Sequence, residues 1–313
     1  YDLQLWSAKK HLEENHIHFE PGVNEDLAAT SVWGSQQVNQ IEGAKYDGVF
    51  SIWYGKGPGV DRSGDAMKHG SYNGASALGG VLCLAGDDHG AKSSTIAHQS
   101  EHAFLHYSMP VLNPATVQDY LDLGLYGFAM SRYSGCWIGF ICVTDTVESS
   151  ASCYVDPERV VIKYPTDYTP PAGGLNSQFG VYPMVAEARQ FQQRMVAVQA
   201  FARANKLDKQ MLGGTKNKLG IVTTGKAYLD VRDALEEMGI DDARAEQLGI
   251  AIYKVALTWP MEPQGLQAFA ESCDELLVIE EKRSFMEDQI AKQLYNLPQR
   301  PRLVGKFDET GAP

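Results

Sequence analysis

Cysteine is scarce in this sequence. The five present, Cys83, Cys136, Cys142, Cys153 and Cys273, form an odd set without a single C-x-x-C pair. That argues against a disulfide framework, and it leaves no recognisable iron–sulfur ligand cluster within these residues. Cys83 in VLCLAG and Cys142 in GFICVT lie in apolar runs and read as buried thiols of a reducing compartment. A cytoplasmic location is therefore expected. Basic residues are also in short supply: 27 Lys and Arg against 39 Asp and Glu give a net charge of -12. Such a surface does not favour nucleic acid or an anionic membrane as a partner. No apolar run approaches the roughly 18 residues of a membrane span, so none is expected. The opening YDLQLWSAKK has no Met, no signal-type apolar stretch and no small-residue cleavage site. It reads as the inside of a helix, and residues are expected to precede Tyr1.

What is present is alternation. The 313 residues suffice for two domains. Strand candidates are HIHFE (16–20), GVFSIWY (48–54), GVLCLAG (80–86), MPVLNP (109–114), WIGFICVT (137–144) and ERVVIKY (158–164). Stretches 24–40, 93–106 and 114–130 between them are long enough for crossover helices. VLCLAG and WIGFI are continuous apolar runs, as strands buried on both faces require, so a parallel sheet covered by helices is predicted. The Pro- and Gly-rich segment 165–183 ends this unit. A helix is predicted from Met184 to Asn205, followed by the strands LGIVTTG, IAIYKV, ELLVIEE and RLVGKF with helices over 226–238, 263–272 and 284–296. The expected division is a first domain over 1–165, a crossing segment and helix over 166–212, and a second, smaller α/β domain over 213–313.

Four motifs invite chemistry that their context does not support. In AHQSEHAFLH (97–106), helical spacing would set His98, His102 and His106 on one face, and His98-x-x-Glu101-His102 matches an inverted zinc-protease pattern. A zinc site needs a third ligand, and nothing selects Glu187 or Glu246 for that role. No metal site is expected, and His102 and His106 read as partly buried helix residues. Gly220 to Lys226 fits most of a phosphate loop. However, Ala227 stands where Ser or Thr is needed, and IVTT reads as the strand itself, whose amides cannot cradle a phosphate. GKGPG (55–59) lacks the dinucleotide spacing and reads as a flexible loop over a ligand pocket. Gly86-Asp87-Asp88 with Asn113 imitates a Mg²⁺–diphosphate motif, but Asp88 replaces the glycine that lets a backbone approach the diphosphate.

PGVNEDLAATSVWGSQQV (21–38) is a helix start: Pro21-Gly22 ends the preceding strand, Asn24 caps, and Glu25 and Asp26 occupy the first turn. Taken alone, the acidic pair is explained by capping. Together with YGKGPGVDRSGDAMKHG, GGVLCLAGDDHGAKSSTIAHQSEHAF, GLYGFAMSRYSGCWIGF, TVESSASCYVDPERV, LGIVTTGKAYLDVRDAL and LLVIEEKRSFMEDQIAKQLYN, the stretch resembles the thiamine-diphosphate-dependent indolepyruvate ferredoxin oxidoreductases of the long, fused bacterial type. The resemblance covers nearly the whole chain.

It implies an α/β, parallel-sheet thiamine-diphosphate-binding fold, the pyrimidine domain, with a second, smaller transketolase-C-terminal-like α/β domain. The activity implied is oxidative decarboxylation of an aryl, indolepyruvate-like 2-oxo acid to acyl-CoA and CO₂, with reduction of ferredoxin. Alternatives are another thiamine-diphosphate enzyme acting on 2-oxo acids and a non-catalytic assembly subunit of the same fold. Glu25 matches the family's cofactor-activating glutamate, whose carboxyl hydrogen-bonds N1′ of the aminopyrimidine, and a dry pocket with a raised pKa is expected for it. Asp87, His89, Ser93 and Ser94 are expected to line the pocket, and Gln99 and Glu101 to order a loop or a partner interface. Family members carry a His near the paired glycines where SALGG has Leu78; His69 is the candidate replacement. Coenzyme A is the implied co-substrate. The Mg²⁺–diphosphate site and the 4Fe–4S clusters are expected outside this stretch, in a diphosphate-binding domain and an iron–sulfur region of the same enzyme. A homodimer or larger assembly is expected.

Overall fold

The computed structural model describes residues 2–92, 94–308 and 310–312. Helices α1 (Asp2–Ser7) and α2 (Lys9–Glu14) lead into an extended segment and α3 (Glu25–Ser35). β1 (Phe50–Lys56) runs directly into α4 (Gly57–Arg62) and α5 (Gly64–Asn73), followed by β2 (Gly80–Gly86), α6 (Glu101–His106), β3 (Val111–Leu112), α7 (Val117–Ser134), β4 (Trp137–Ile141) and α8 (Thr144–Val147). After a long irregular crossing come α9 (Pro183–Arg189), a π-helical turn (Gln190–Arg194) and α10 (Met195–Asn205). The remainder is β5 (Lys209–Leu212), β6 (Asn217–Thr224), α11 (Gly225–Glu237), α12 (Asp242–Leu248), β7 (Ile250–Val255), β8 (Leu257–Trp259), α13 (Pro263–Glu271), β9 (Cys273–Ile279), α14 (Met286–Leu294) and β10 (Arg302–Val304).

Two five-stranded sheets result, β1-β2-β4-β3-β8 and β10-β9-β6-β7-β5. Each is parallel except for one antiparallel edge strand, β8 beside β3 and β5 beside β7. β2 shows why its apolar run is continuous. Val81, Cys83 and Ala85 enter one core with Trp53, Met67, Phe104 and Trp137, while Leu82 faces the other with Leu112, Met130, Ile138 and Phe201. Both faces are covered by helices, as a parallel sheet requires. The second sheet is built alike, with Val222, Phe269 and Ile290 on one side and Ile221, Val231 and Ile252 on the other.

β8 comes from beyond the second sheet's β7 yet closes the edge of the first. Asp208 holds that reversal, its Oδ1 accepting the N–H groups of Ala256 and Leu257 at 2.7 and 3.0 Å. Trp259 then packs on cores of both units. Arg194, in the π turn, is fully buried and donates to the carbonyls of Leu175, Ser71, Tyr72 and Asn73. Its guanidinium thereby closes the C-terminal end of α5, where the helix dipole favours a cation.

Several sequence expectations need correction. HIHFE and ERVVIKY form no strand: they have β propensity, but most of their side chains are exposed, and without a face to bury the propensity does not decide. MPVLNP contributes two strand residues. The helix predicted over 93–106 begins only at Glu101, so His98 lies in the preceding loop. GKGPG is not a flexible loop, because it carries the strand end straight into α4. IVTT does lie within strand β6, as expected.

Candidate active site

All parallel strands of the first sheet point their C-terminal ends to one edge, where ligands collect in open α/β sheets. Glu25 opens α3 at this edge. Capping is done by its neighbour: Asn24 Oδ1 accepts the N–H of Leu27 at 2.9 Å. Among the described residues the Glu25 carboxylate accepts no backbone N–H. Its backbone is fixed instead, since the buried Trp53 indole N–H donates to the Glu25 carbonyl at 3.0 Å. Gly59 supplies the floor, and a Cβ there would sit 2.7 Å from Glu25 Cγ. Arg62 lies alongside, but its Nε is committed to Asp26 Oδ1 at 2.7 Å and stands 3.9 Å from Glu25 Oε2. That hydrogen bond holds Asp26 below the usual carboxylate range.

The Glu25 side chain is 44% exposed. The dry pocket expected around it is therefore not supplied by the described residues of this chain. What they do supply is a carboxylate held at a fixed place on an open surface, free of any capping duty.

Gly57 and His98 connect this surface to the loop after β2. His98 lies against Gly57, where a Cβ would come within 2.3 Å of its ring, and its Nε2 is 3.3 Å from Asp61 Oδ2. His89 Nδ1 lies 3.2 Å from the His98 carbonyl. Asp87 is buried behind them, accepting the Ser100 hydroxyl at 2.6 Å and its N–H at 2.8 Å. Burial raises Asp87, while the Ser100 donors, His89 and His98 pull it down.

Asp87 and His89 thus lie in the loop that leads from β2 to Glu101 at the start of α6. Ser94 is half-buried in the same loop, and Ser93 lies outside the described residues. His69 stands apart on α5, 60% exposed, bonded to the Asp65 carbonyl and packed against Trp33. His98 and His102 do not form the helical pair of the zinc pattern: His98 faces Asp61, and the His102 ring meets Phe285.

Glu280, Glu281 and Phe285, from the loop after β9, complete the wall opposite Glu101. The sequence reading missed them. Their one local signal is ELLVIEE, a strand that ends in two carboxylates at the edge where ligands gather.

Residues 209–312 match the indolepyruvate oxidoreductase domain. The chain is also 24% identical over 284 residues to indolepyruvate oxidoreductase subunit IorA of Methanothermobacter thermautotrophicus, and 26% identical over 285 residues to that of Methanothermobacter marburgensis. Each comparison covers 88% of this chain and 41% of the relative, so the chain spans well under half the length of the curated relatives it matches. The IorA of Pyrococcus abyssi is 23% identical over 264 residues, with 79% of this chain and 37% of that protein covered.

Among solved structures, 2-oxoglutarate:ferredoxin oxidoreductase from Magnetococcus marinus superposes with a TM-score of 0.61 at 14% identity. That match covers 99% of this chain and 58% of the other. A split-gene transketolase, an inactive beta4 tetramer, gives 0.58 at 13% identity over 93% and 74%. At these identities the likeness concerns the fold. The paired, mostly parallel α/β units are those expected from the sequence, a thiamine-type pyrimidine fold followed by a transketolase-C-terminal-like one.

Proposed function

We propose that this chain is the pyrimidine-binding and activating part of a thiamine-diphosphate-dependent 2-oxoacid:ferredoxin oxidoreductase. Its substrate would be an aryl, indolepyruvate-like 2-oxo acid, with coenzyme A as acyl acceptor and ferredoxin as electron acceptor. The observation that carries the reading is Glu25, a carboxylate at a helix start with Asn24 doing the capping, Trp53 fixing the backbone and Gly59 leaving room beside it. The indolepyruvate oxidoreductase match over 209–312 and the IorA relatives support the substrate class.

When bound, thiamine diphosphate supplies the electron sink for decarboxylation, and the protein supplies contact and orientation. Glu25 would hold a proton against N1′ of the aminopyrimidine. Trp53, by gripping the Glu25 carbonyl, keeps the start of α3 from shifting under that load. Asp87 and His89 order the loop after β2, so that the edge of the first sheet is fixed before any partner domain covers it. We assign residues 1–165 to the pyrimidine-binding unit, 166–212 to the crossing, whose last strand β5 joins the second sheet, and 213–313 to the transketolase-C-terminal-like unit, whose β8 returns to the first. Diphosphate and Mg²⁺ would be held by a separate domain facing Glu25 in a homodimer or larger assembly, with 4Fe–4S clusters elsewhere in the enzyme. Five free cysteines suit a reducing, cytoplasmic setting.

The test is Glu25→Gln in the complete enzyme. Exchange of the cofactor C2 proton at equal occupancy, and 2-oxo-acid decarboxylation, should each fall by roughly 10²-fold or more, the scale of a positioned acid–base group. Exchange within about twofold of wild type would return Glu25 to a purely structural role.

A further inference from the structure

Where the C-terminal ends of the two sheets meet, they enclose a cavity of about 20 Å³, room for about one water molecule. Glu101, Asn113 and His89 line it from the first sheet's side, and Lys226, Glu280 and Phe285 from the second's. Two of its walls are anomalous. Glu101 Oε2 and Asn113 Oδ1 are buried acceptors, and neither finds a donor among the described residues. Leaving such groups unpaired in a buried place is costly, and more so if one is charged.

The neighbouring carboxylates are placed differently. Asp87 takes two hydrogen bonds from Ser100. Glu280 takes three, from the N–H groups of Phe285, Met286 and Glu287. Both are built to stay acceptors. Glu101 Oε2, by contrast, has no donor among the described residues and lines the same cavity as the unpaired Asn113 acceptor, so a proton on its carboxyl would supply a donor toward Asn113, directly or through one water.

We propose that Glu101 is a proton-held latch between the two α/β units: its neutral form lets the 280–285 loop close on α6, and loss of the proton loosens that junction. The surrounding charges set the direction. Burial, then Asp87, Glu280 and Glu281, push Glu101 up to about 8. The cations nearby are otherwise engaged. Lys226 is paired with Asp230, and Lys306 donates to the Glu280 carbonyl. His89 and His98 pull Asp87 down, and beside His102 the cation Arg283 lowers it while the carboxylate Asp288 raises it. Gln99 adds the mechanical link, donating to the carbonyls of Glu281 and Arg283 and accepting the Arg283 N–H. Because the folded chain binds this proton more tightly than the unfolded one, the stabilisation is complete below the ordinary glutamate range. It is lost as pH rises through about 8.

Hydrogen–deuterium exchange of the full chain, corrected for intrinsic rates, tests this between pH 6.5 and 9.5. Peptides covering 99–106 and 280–287 should lose protection together, about tenfold or more, as Glu101 ionises. Glu101→Gln should hold the low-pH protection throughout. Glu281→Lys, which leaves Glu101 in place, should lower the pH of the transition by about half a unit or more. Protection independent of pH in the wild type, a Glu101→Gln profile that follows the wild type, or a midpoint unmoved by Glu281→Lys would each overturn the latch. None of these outcomes depends on whether Glu25 activates a cofactor, so the proposal stands or falls apart from the enzymatic reading.

Discussion

Glu25 and Glu101 occupy the same position in two helices, the first residue after the N-cap, yet their surroundings differ in every respect. Glu25 is 44% exposed, beside a glycine and an arginine already paired elsewhere. Glu101 is buried among three other carboxyl groups with one oxygen unpartnered. A helix start favours either one electrostatically. What separates their chemistry is tertiary: one carboxyl is offered outward for something else to cover, and the other is enclosed by the chain's own second unit. A glutamate in a first turn is therefore not yet a function. Its partners make it one.

The sharpest way to break the comparison on the Glu25 side is Gly59→Ala. The added Cβ would meet Glu25 Cγ at 2.7 Å, and an exposed side chain can move aside at little cost in stability. The carboxylate would then be fixed elsewhere, and a misplacement near 1 Å at a reacting group costs on the order of 10²-fold in turnover. Turnover in the complete enzyme should fall by that order while the thermal midpoint of the chain holds. Unchanged turnover would mean that the location of Glu25 does not matter.

A second change asks what holds α3 in place. Gln36, fully buried just past its end, accepts the N–H groups of Ser76 and Gly80 and donates to the Val49 carbonyl. It ties the helix to the starts of both β1 and β2. Gln36→Leu leaves those backbone groups without partners, and at about 1–3 kcal/mol for each stranded group the expected loss is about 2–4 kcal/mol, read from chemical denaturation. A loss under about 0.5 kcal/mol would show that water replaces the side chain and that α3 is anchored elsewhere.

The scaffold was more legible in the sequence than the junction, and the reason is physical. β2 and β4 announce themselves because burial on both faces demands an unbroken apolar run. Asn24 announces α3 because few residue types cap well. HIHFE and ERVVIKY misled because β propensity without a face to bury predicts nothing. α4 was missed because glycines at 57 and 59 look like a loop, whereas they admit the His98 and Glu25 side chains against a helix. Glu25 could be singled out through a family resemblance, although its exposure could not be foreseen. The meeting of Glu101 with Glu280, and the return of β8 to the first sheet, depend on chain segments far apart in sequence, and no local pattern encodes them.

The smallest expected effect separates the two duties of the α3 start. If Asn24 caps and Glu25 acts on a ligand, removing the cap should affect stability and spare chemistry. Asn24→Ala loses the bond to the Leu27 N–H and should cost about 0.5–2 kcal/mol in chemical denaturation. Trp53 still grips the Glu25 carbonyl and Gly59 still leaves the carboxylate its place, so turnover below the unfolding transition should stay within about threefold, less than 1 kcal/mol of barrier. A loss of turnover as large as that expected for Glu25→Gln, at unchanged stability, would reverse the assignment. It would mean that the amide of Asn24, and not the carboxylate beside it, faces the reacting partner.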